Sequence, residues 1–283
     1  MGLISNVTVL GGGTLGTQIA FHTSYKGLNV VIYDIDFDAF TKTMDLFQML
    51  KNIYTKELNV SSEHIESTLG RISFSTDLGE AVIDADLVIE AVPEDMQIKK
   101  QVYMDLSVVA PENTIFTTNS STFLPSDLME FTGRPDKFLA LHFANALYRF
   151  NTAEIMGSPK TDPGIFQTVT DFVNQIGMIP IIFNKEKSGY VLNTLLSPLL
   201  AAACELYIKG IADIETIDKT WRIATGSPAG PFEIIDVIGL NTIYNILMQS
   251  EDVRYKMFAS YLKKNYIKEG KTGYLSGEGF YKY

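Results

Sequence analysis

The chain has 283 residues, 46% apolar and 20% charged, which excludes a disordered or collagen-like protein and, at roughly 100 to 200 residues per domain, leaves room for two domains. Its net charge of −10 argues against broad binding to a nucleic-acid backbone, which needs Lys and Arg clustered on one face. A small anionic cofactor stays accessible, because a helix N-terminus presents free N–H donors and positive potential without any basic side chain.

The opening MGLISNV has no basic region ahead of an apolar run, so no secretory or transit segment is expected. Short apolar, β-branched runs then alternate with longer helical patterns, the signature of βαβ units and a parallel sheet. Strands are predicted over residues 7–10, 30–34, 72–74, 87–90, 114–118 and 138–142, with two more runs, 153–156 and 179–183, extending the sheet. Between Phe37 and Gly70 a mixed stretch of helical period is too long for a simple crossover and predicts a protruding pair of helices.

After Asn184 the strand-like runs stop, and helices are predicted over 190–209, 213–224, 232–238 and 251–267. The polar NKEKSG segment, residues 184–189, marks the boundary between an α/β domain, 1–184, with a mostly parallel sheet, and an all-helical C-terminal domain, 185–283. The run from Tyr190 to Ile208 is apolar enough to suggest a membrane span, but Asn193, Thr194, Ser197, Pro198 and Glu205 interrupt it. A core or interface helix, and no membrane association, is the expectation. A single cysteine, Cys204, excludes an intrachain disulfide, reads as a buried inert thiol and fits a cytoplasmic protein.

The first βαβ unit carries the clearest chemistry. In VTVLGGGTLGTQIA, Gly11, Gly13 and Gly16 have G-x-G-x-x-G spacing directly after a strand and open a helix. Gly11 suits the tight turn, Gly13 the approach of a pyrophosphate, and Gly16 close helix–strand packing, with Thr14 and Leu15 supplying N–H groups in the first turn. Asp34 ends the next strand about 20 residues on, where a carboxylate accepts from ribose hydroxyls and repels a 2′-phosphate, so NAD is favoured over NADP and residues 1–184 read as an NAD-binding Rossmann-type α/β domain. Competing signals fail. Gly270, Lys271 and Thr272 resemble the end of a phosphate loop, but Asn265 stands where its first glycine belongs; there is no nucleophile elbow and no Cys/His spacing for a metal.

Oxidising a secondary alcohol also requires removal of the hydroxyl proton, for which histidine is suited near neutral pH. His22 falls in the first helix and His64 in the polar run SSEHIES, whereas His142 ends a strand, where open α/β sheets place ligands. Glu154 lies close enough for a strand, turn and strand to return it to His142, orienting the ring and stabilising an imidazolium.

With these residues in view, the chain resembles the L-3-hydroxyacyl-CoA dehydrogenase family through VLGGGTLGTQIA, LVIEAVPED, TTNSSTF, LALHFANA, TAEIMG, KSGYVLN, SPAGPFEIIDVIGL and TGYLSGEGFYKY, all in family order. The resemblance implies an NAD-dependent oxidoreductase of fatty acid metabolism, a helical second domain mediating a homodimer, and a cleft between domains in which a short-chain L-3-hydroxyacyl-CoA is interconverted with its 3-oxo form. It implies that His142 and Glu154 are the catalytic pair, that Ser121 bonds the substrate oxygen and the histidine, and that Asn193 helps hold that oxygen. Glu90, Asn119 and Asn145 would line the nicotinamide side.

The chain departs from the family pattern in HFANALYRF, where Ala144 and Ala146 replace a phenylalanine and a proline, and in Pro228-Ala229-Gly230-Pro231-Phe232. The helical pair is also poor in lysine for a CoA phosphate, with Lys51 and Lys56 the main candidates. These departures motivate a second reading, a small free hydroxy compound as in the related carnitine and gulonate dehydrogenases, its carboxylate held by Arg149 if LYRF folds over the site. A third reading, a non-catalytic NAD-binding protein, is opposed by the joint presence of Ser121, His142, Glu154 and Asn193.

Overall fold

The computed structural model describes residues 4–283, apart from the side chains of Ala39 and Gln249, and the chain divides into two compact units, Met1–Tyr190 and Val191–Tyr283. In the first unit the elements run β1 (Asn6–Leu10), α1 (Thr14–Tyr25), β2 (Asn29–Tyr33), α2 (Phe37–Glu57), α3 (Ser62–Gly70), β3 (Ile72–Ser75), α4 (Leu78–Val82), β4 (Leu87–Glu90), α5 (Met96–Val109), β5 (Ile115–Thr118), α6 (Pro125–Leu128), β6 (Phe138–Phe143), β7 (Thr152–Gly157), α7 (Pro163–Gln175) and β8 (Ile179–Ile182). The eight strands form one sheet in the order β3-β2-β1-β4-β5-β6-β7-β8. All neighbours are parallel except β6 and β7, so the sheet is mostly parallel as its patterning predicts.

The inner strands are near-continuous apolar runs because helices cover both faces. Val7, Val9 and Leu10 of β1 and Leu87, Val88 and Ile89 of β4 are all buried. The chain leaves β1 for β2 on one side and returns to β4 on the other, which opens a crevice beyond their carboxyl ends. The glycine loop sits there.

The helical pair does not protrude. Asp36 caps α2 and Ser61 caps α3. The inner face of α2 buries Phe40, Phe47, Leu50 and Tyr54, and Phe21 of α1 meets Phe47 and Tyr54 at ring separations of 5.7 and 5.0 Å. Burying each such aromatic is worth about 1.5 to 3 kcal/mol, which holds the pair down on α1.

The second unit contains α8 (Tyr190–Ile208, whose first residue belongs to the sheet unit), α9 (Ile214–Thr225), α10 (Pro231–Ile238), α11 (Leu240–Gln249) and α12 (Val253–Asn265). Helix α11 falls in a stretch with no predicted element. Gly239, at φ +96°, separates it from α10 by a single residue. Two buried aspartates explain the terminal motifs. Asp218 accepts from the N–H groups of Phe232 and Glu233 at the start of α10, and Asp236 accepts from the N–H groups of Phe280 and Tyr281 and the hydroxyl of Tyr283. SPAGPF and GEGFYKY are therefore a structural clasp within this unit. Cys204 is buried there, and burial pushes its thiol up to about 12, so it stays protonated and inert.

The division falls later than the predicted boundary at residue 184, because the linker docks on the sheet unit. Glu186 accepts the N–H of Ser126, and Ser188 donates its hydroxyl to the carbonyl of Thr122.

Candidate active site

The glycine loop follows β1 and meets the end of β4. Gly11 takes φ +106°, and a Cβ there would stand 2.7 Å from the carbonyl oxygen of Ala91. A Cβ on Gly16 would lie 2.0 Å from the carbonyl oxygen of Gly11, so only glycine permits this helix–loop packing. Around Gly13 the space is open, and α1 starts at that residue with no side-chain cap. The first turn, with Thr14 exposed and Leu15 part-buried, thus keeps backbone N–H donors available to an anion. Asp34 follows β2 directly. One carboxylate oxygen accepts the N–H of Gly12 at 2.8 Å and the other the N–H of Ile35 at 2.8 Å, which ties the acid to the loop. Thr17 and Thr43 donate to the carbonyl of Gly12 and lock the loop further. An open glycine face, uncapped N–H groups and a carboxylate at one edge fit a pyrophosphate and its ribose.

Side chains with the chemistry to handle a proton come together from β5, β6 and β7. The antiparallel pairing of β6 and β7 sets His142 directly opposite Glu154. His142 Nδ1 and Glu154 Oε2 are 2.9 Å apart and both side chains are buried. An ionised carboxylate is acceptor-only, so Nδ1 donates to it and Nε2 keeps a lone pair. Ser121, just past β5, places its hydroxyl oxygen 3.1 Å from that Nε2. Three side chains predicted from the sequence thus form one chain, Ser121–His142–Glu154, at the ends of adjacent strands.

The residues expected on the nicotinamide side divide. Asn119 is buried and its side-chain oxygen accepts the N–H of Phe143, fastening the end of β5 to the end of β6. Asn145 is exposed beyond β6. Glu90 is a correction. Its carboxylate has no exposure and is saturated by Lys99 at 2.6 Å, Thr118 at 2.7 Å, Tyr103 at 3.2 Å and the N–H of Val92 at 2.9 Å, so it anchors the sheet and offers no free edge to a ligand.

Glu94, four residues on, was missed. It is part-exposed and takes hydrogen bonds from Ser120 at 2.5 Å and from the backbone and hydroxyl of Thr122, with Lys99 3.2 Å away. Burial opposes its ionisation, but these hydrogen bonds and the Lys99 charge hold it below the usual carboxylate range. The signal was present as the second acid of EAVPED, beyond the carboxyl end of β4. Tyr190 was missed as well. Its ring lies against His142 at 4.3 Å with an 11° tilt, and its hydroxyl donates to the carbonyl of Ser120.

The segment after His142 packs against α1 and α2. Gln18 accepts the N–H of Ala146, Leu147 is buried, Tyr148 lies near Tyr54, and Arg149 pairs with Glu57 at 2.9 Å. Ala146 has φ +62°, which proline, fixed near −65°, cannot adopt. The alanine in place of the family proline therefore goes with a different path for this loop. Asn193 lies in α8, in the second unit, and its assignment rests on the sequence pattern. Among the described residues no group of three or more His, Cys, Asp or Glu side chains is disposed to hold a metal ion.

Residues 6–187 match the model of the 3-hydroxyacyl-CoA dehydrogenase NAD binding domain, and residues 189–283 match that of the 3-hydroxyacyl-CoA dehydrogenase C-terminal domain. The chain belongs to the 3-hydroxyacyl-CoA dehydrogenase family. It is an oxidoreductase and its cofactor is NAD(H), in agreement with the loop and Asp34. Among family relatives, a mitochondrial hydroxyacyl-coenzyme A dehydrogenase from Rattus norvegicus is 34% identical over 99% of this chain and 92% of its own. A 5-formyl-3-hydroxy-2-methylpyridine 4-carboxylate 5-dehydrogenase from Mesorhizobium japonicum is 28% identical over 99% of this chain and 91% of its own. A solved structure described as "Substrate-directed dual catalysis of dicarbonyl compounds by diketoreductase" is 56% identical, covers 100% of both chains and superposes with a TM-score of 0.93.

Proposed function

We propose that the protein interconverts a secondary alcohol and a ketone in a substrate carrying a second carbonyl two carbons away, with a short-chain 3-hydroxyacyl-CoA and its 3-oxo form as the leading pair. The observation that carries this reading is the hydrogen-bonded chain from Ser121 through His142 to Glu154. Bound NAD supplies the hydride acceptor. Nε2 of His142 takes the hydroxyl proton, Glu154 stabilises the imidazolium so formed, and Ser121 orients the reacting oxygen. In reduction the same nitrogen returns the proton. Glu94 and the first turn of α1 hold the cofactor side, and Asp34 the ribose. We further propose a homodimer, supported by α8, a long helix of high mean hydropathy that exposes Val191, Leu192 and Leu195.

A second substrate, a small dicarbonyl compound free of CoA, is favoured by two observations. The 56% identical relative is described as acting on dicarbonyl compounds. The helical pair is also acidic overall, with Lys42, Lys51 and Lys56 outnumbered by Asp38, Asp45, Glu57, Glu63 and Glu66, which suits a CoA phosphate poorly. Arg149 is engaged with Glu57, which gives no support to its holding a free carboxylate. NADH oxidation measured side by side with acetoacetyl-CoA and with a small 1,3-dicarbonyl lacking the thioester tests both. Turnover of the first supports the leading pair, turnover of the second alone moves the assignment, and turnover of neither overturns the reaction class.

A further inference from the structure

Three successive linker residues bind three successive carbonyls of the loop that carries Ser121. The Ser188 hydroxyl donates to Thr122 at 2.8 Å, the Gly189 N–H to Ser121 at 3.1 Å, and the Tyr190 hydroxyl to Ser120 at 2.9 Å. On its other side the same loop is held by Glu94, through Ser120 and Thr122. Tyr190 is fully buried, at 1% exposure, and sits at φ +51°, a conformation that non-glycine residues adopt only when surrounding contacts enforce it. What enforces it is visible. The ring lies against the imidazole of His142, nearly parallel at 4.3 Å, and meets Phe183 at a steep angle at 5.6 Å.

We infer that Tyr190 is a positioning residue for the catalytic pair, its ring setting the plane of His142 and its hydroxyl setting the height of the Ser121 loop. The inference rests on the reading of His142 as the group that moves the proton. Hydrogen bonds at Nδ1 and Nε2 restrain the His142 imidazole mainly within its own plane, and a ring stacked on its face resists tilting out of that plane. The aromatic face also presents negative charge density to the ring when it is protonated, and so favours the imidazolium. The ionisable groups around the pair are Glu154 from β7, bonded to His142, and Glu154, Glu94, Glu90 and Tyr103 acting on the Tyr190 phenol. Burial, reinforced by these carboxylates, raises the Tyr190 hydroxyl well above its ordinary value, so it acts as a hydrogen-bond donor and takes no part in proton transfer. Tyr190 is also the first residue of α8, so the proton-handling site and the entry to the second unit share one side chain.

The test uses the full-length protein and variants Y190F and Y190L. Y190F keeps the ring and loses the tether, and is expected to lower kcat about threefold with KM unchanged. Y190L loses both, and is expected to lower kcat about tenfold, the size of one aromatic contact, at unchanged NADH affinity. Proton NMR of the unmodified protein, with His142 assigned by its loss in H142Q, should find the His142 ring protons upfield of their random-coil positions. That measurement requires neither turnover nor a folded leucine variant, so it separates failure of the stacking inference from failure of the dehydrogenase reading. Random-coil His142 resonances, or a Y190L enzyme with the kcat of the parent, would overturn the inference.

Discussion

Glu154 faces His142 across the antiparallel β6–β7 pair, its carboxylate 2.9 Å from Nδ1 while Nε2 points to Ser121. A base and the acid that orients it act on the transition state more than on binding. H142Q is therefore expected to lower kcat by about 10² to 10⁴ with NADH affinity nearly unchanged, and E154Q to follow less severely. Steady-state kinetics together with NADH titration of each variant measure both effects. A normal kcat in H142Q would remove the histidine from the mechanism.

Asp34 is expected to control cofactor choice because its carboxylate is fixed by Gly12 and Ile35 beside the loop, where a 2′-phosphate would meet a charge of the same sign. NADH is expected to be used at least about tenfold better than NADPH by kcat/KM, equivalent to about 1.4 kcal/mol, and D34S to narrow that gap. Equal use of both cofactors by the parent enzyme contradicts the placement.

His22 makes the fold sensitive to acid. Its ring is buried between the Tyr54 hydroxyl and the carbonyl of Ile176, and burial, opposed by that carbonyl and reinforced by Lys26, lowers its pKa to about 4. The folded value lies below the unfolded one of about 6.5, so the unfolded chain binds the proton first as pH falls. The contribution to stability is complete above about pH 6.5 and is lost by about pH 4, a change on the order of 3 kcal/mol. Urea unfolding at pH 7 and at pH 4.5 measures it. In H22Q the fall between the two should be smaller, and an equal fall in both proteins rules out His22 as its source.

The exposed side of α8 should be covered by a second copy of the chain. Leu195 is 70% exposed in a helix of this hydropathy, and an apolar stripe left in water favours association. Light scattering at micromolar concentration is expected to find a dimer, and L195D to shift it to monomer. A monomeric parent protein would contradict the proposal.

Much of this molecule was legible in the sequence because it is encoded over short distances. Strand and helix periods, the glycine turn and the acid after the second strand depend on neighbouring residues, so all eight strands and the Gly11–Gly16 loop lie where the pattern puts them. The His142–Glu154 pair was legible for a related reason, since the two residues stand at the facing ends of consecutive strands that pair antiparallel. What only the tertiary structure decided involves residues whose partners come from elsewhere in the chain. Glu90 and Glu94 look alike in EAVPED, but Lys99, Tyr103 and Thr118 converge on Glu90 and bury it, which leaves Glu94 as the acid at the mouth of the crevice. The helical pair lies against α1 because Phe21 packs on Phe47 and Tyr54, a contact invisible to either helix alone. Tyr190 reads as the first apolar residue of a helix, and only folding of β5 and β6 beneath it turns that residue into the face on which His142 rests.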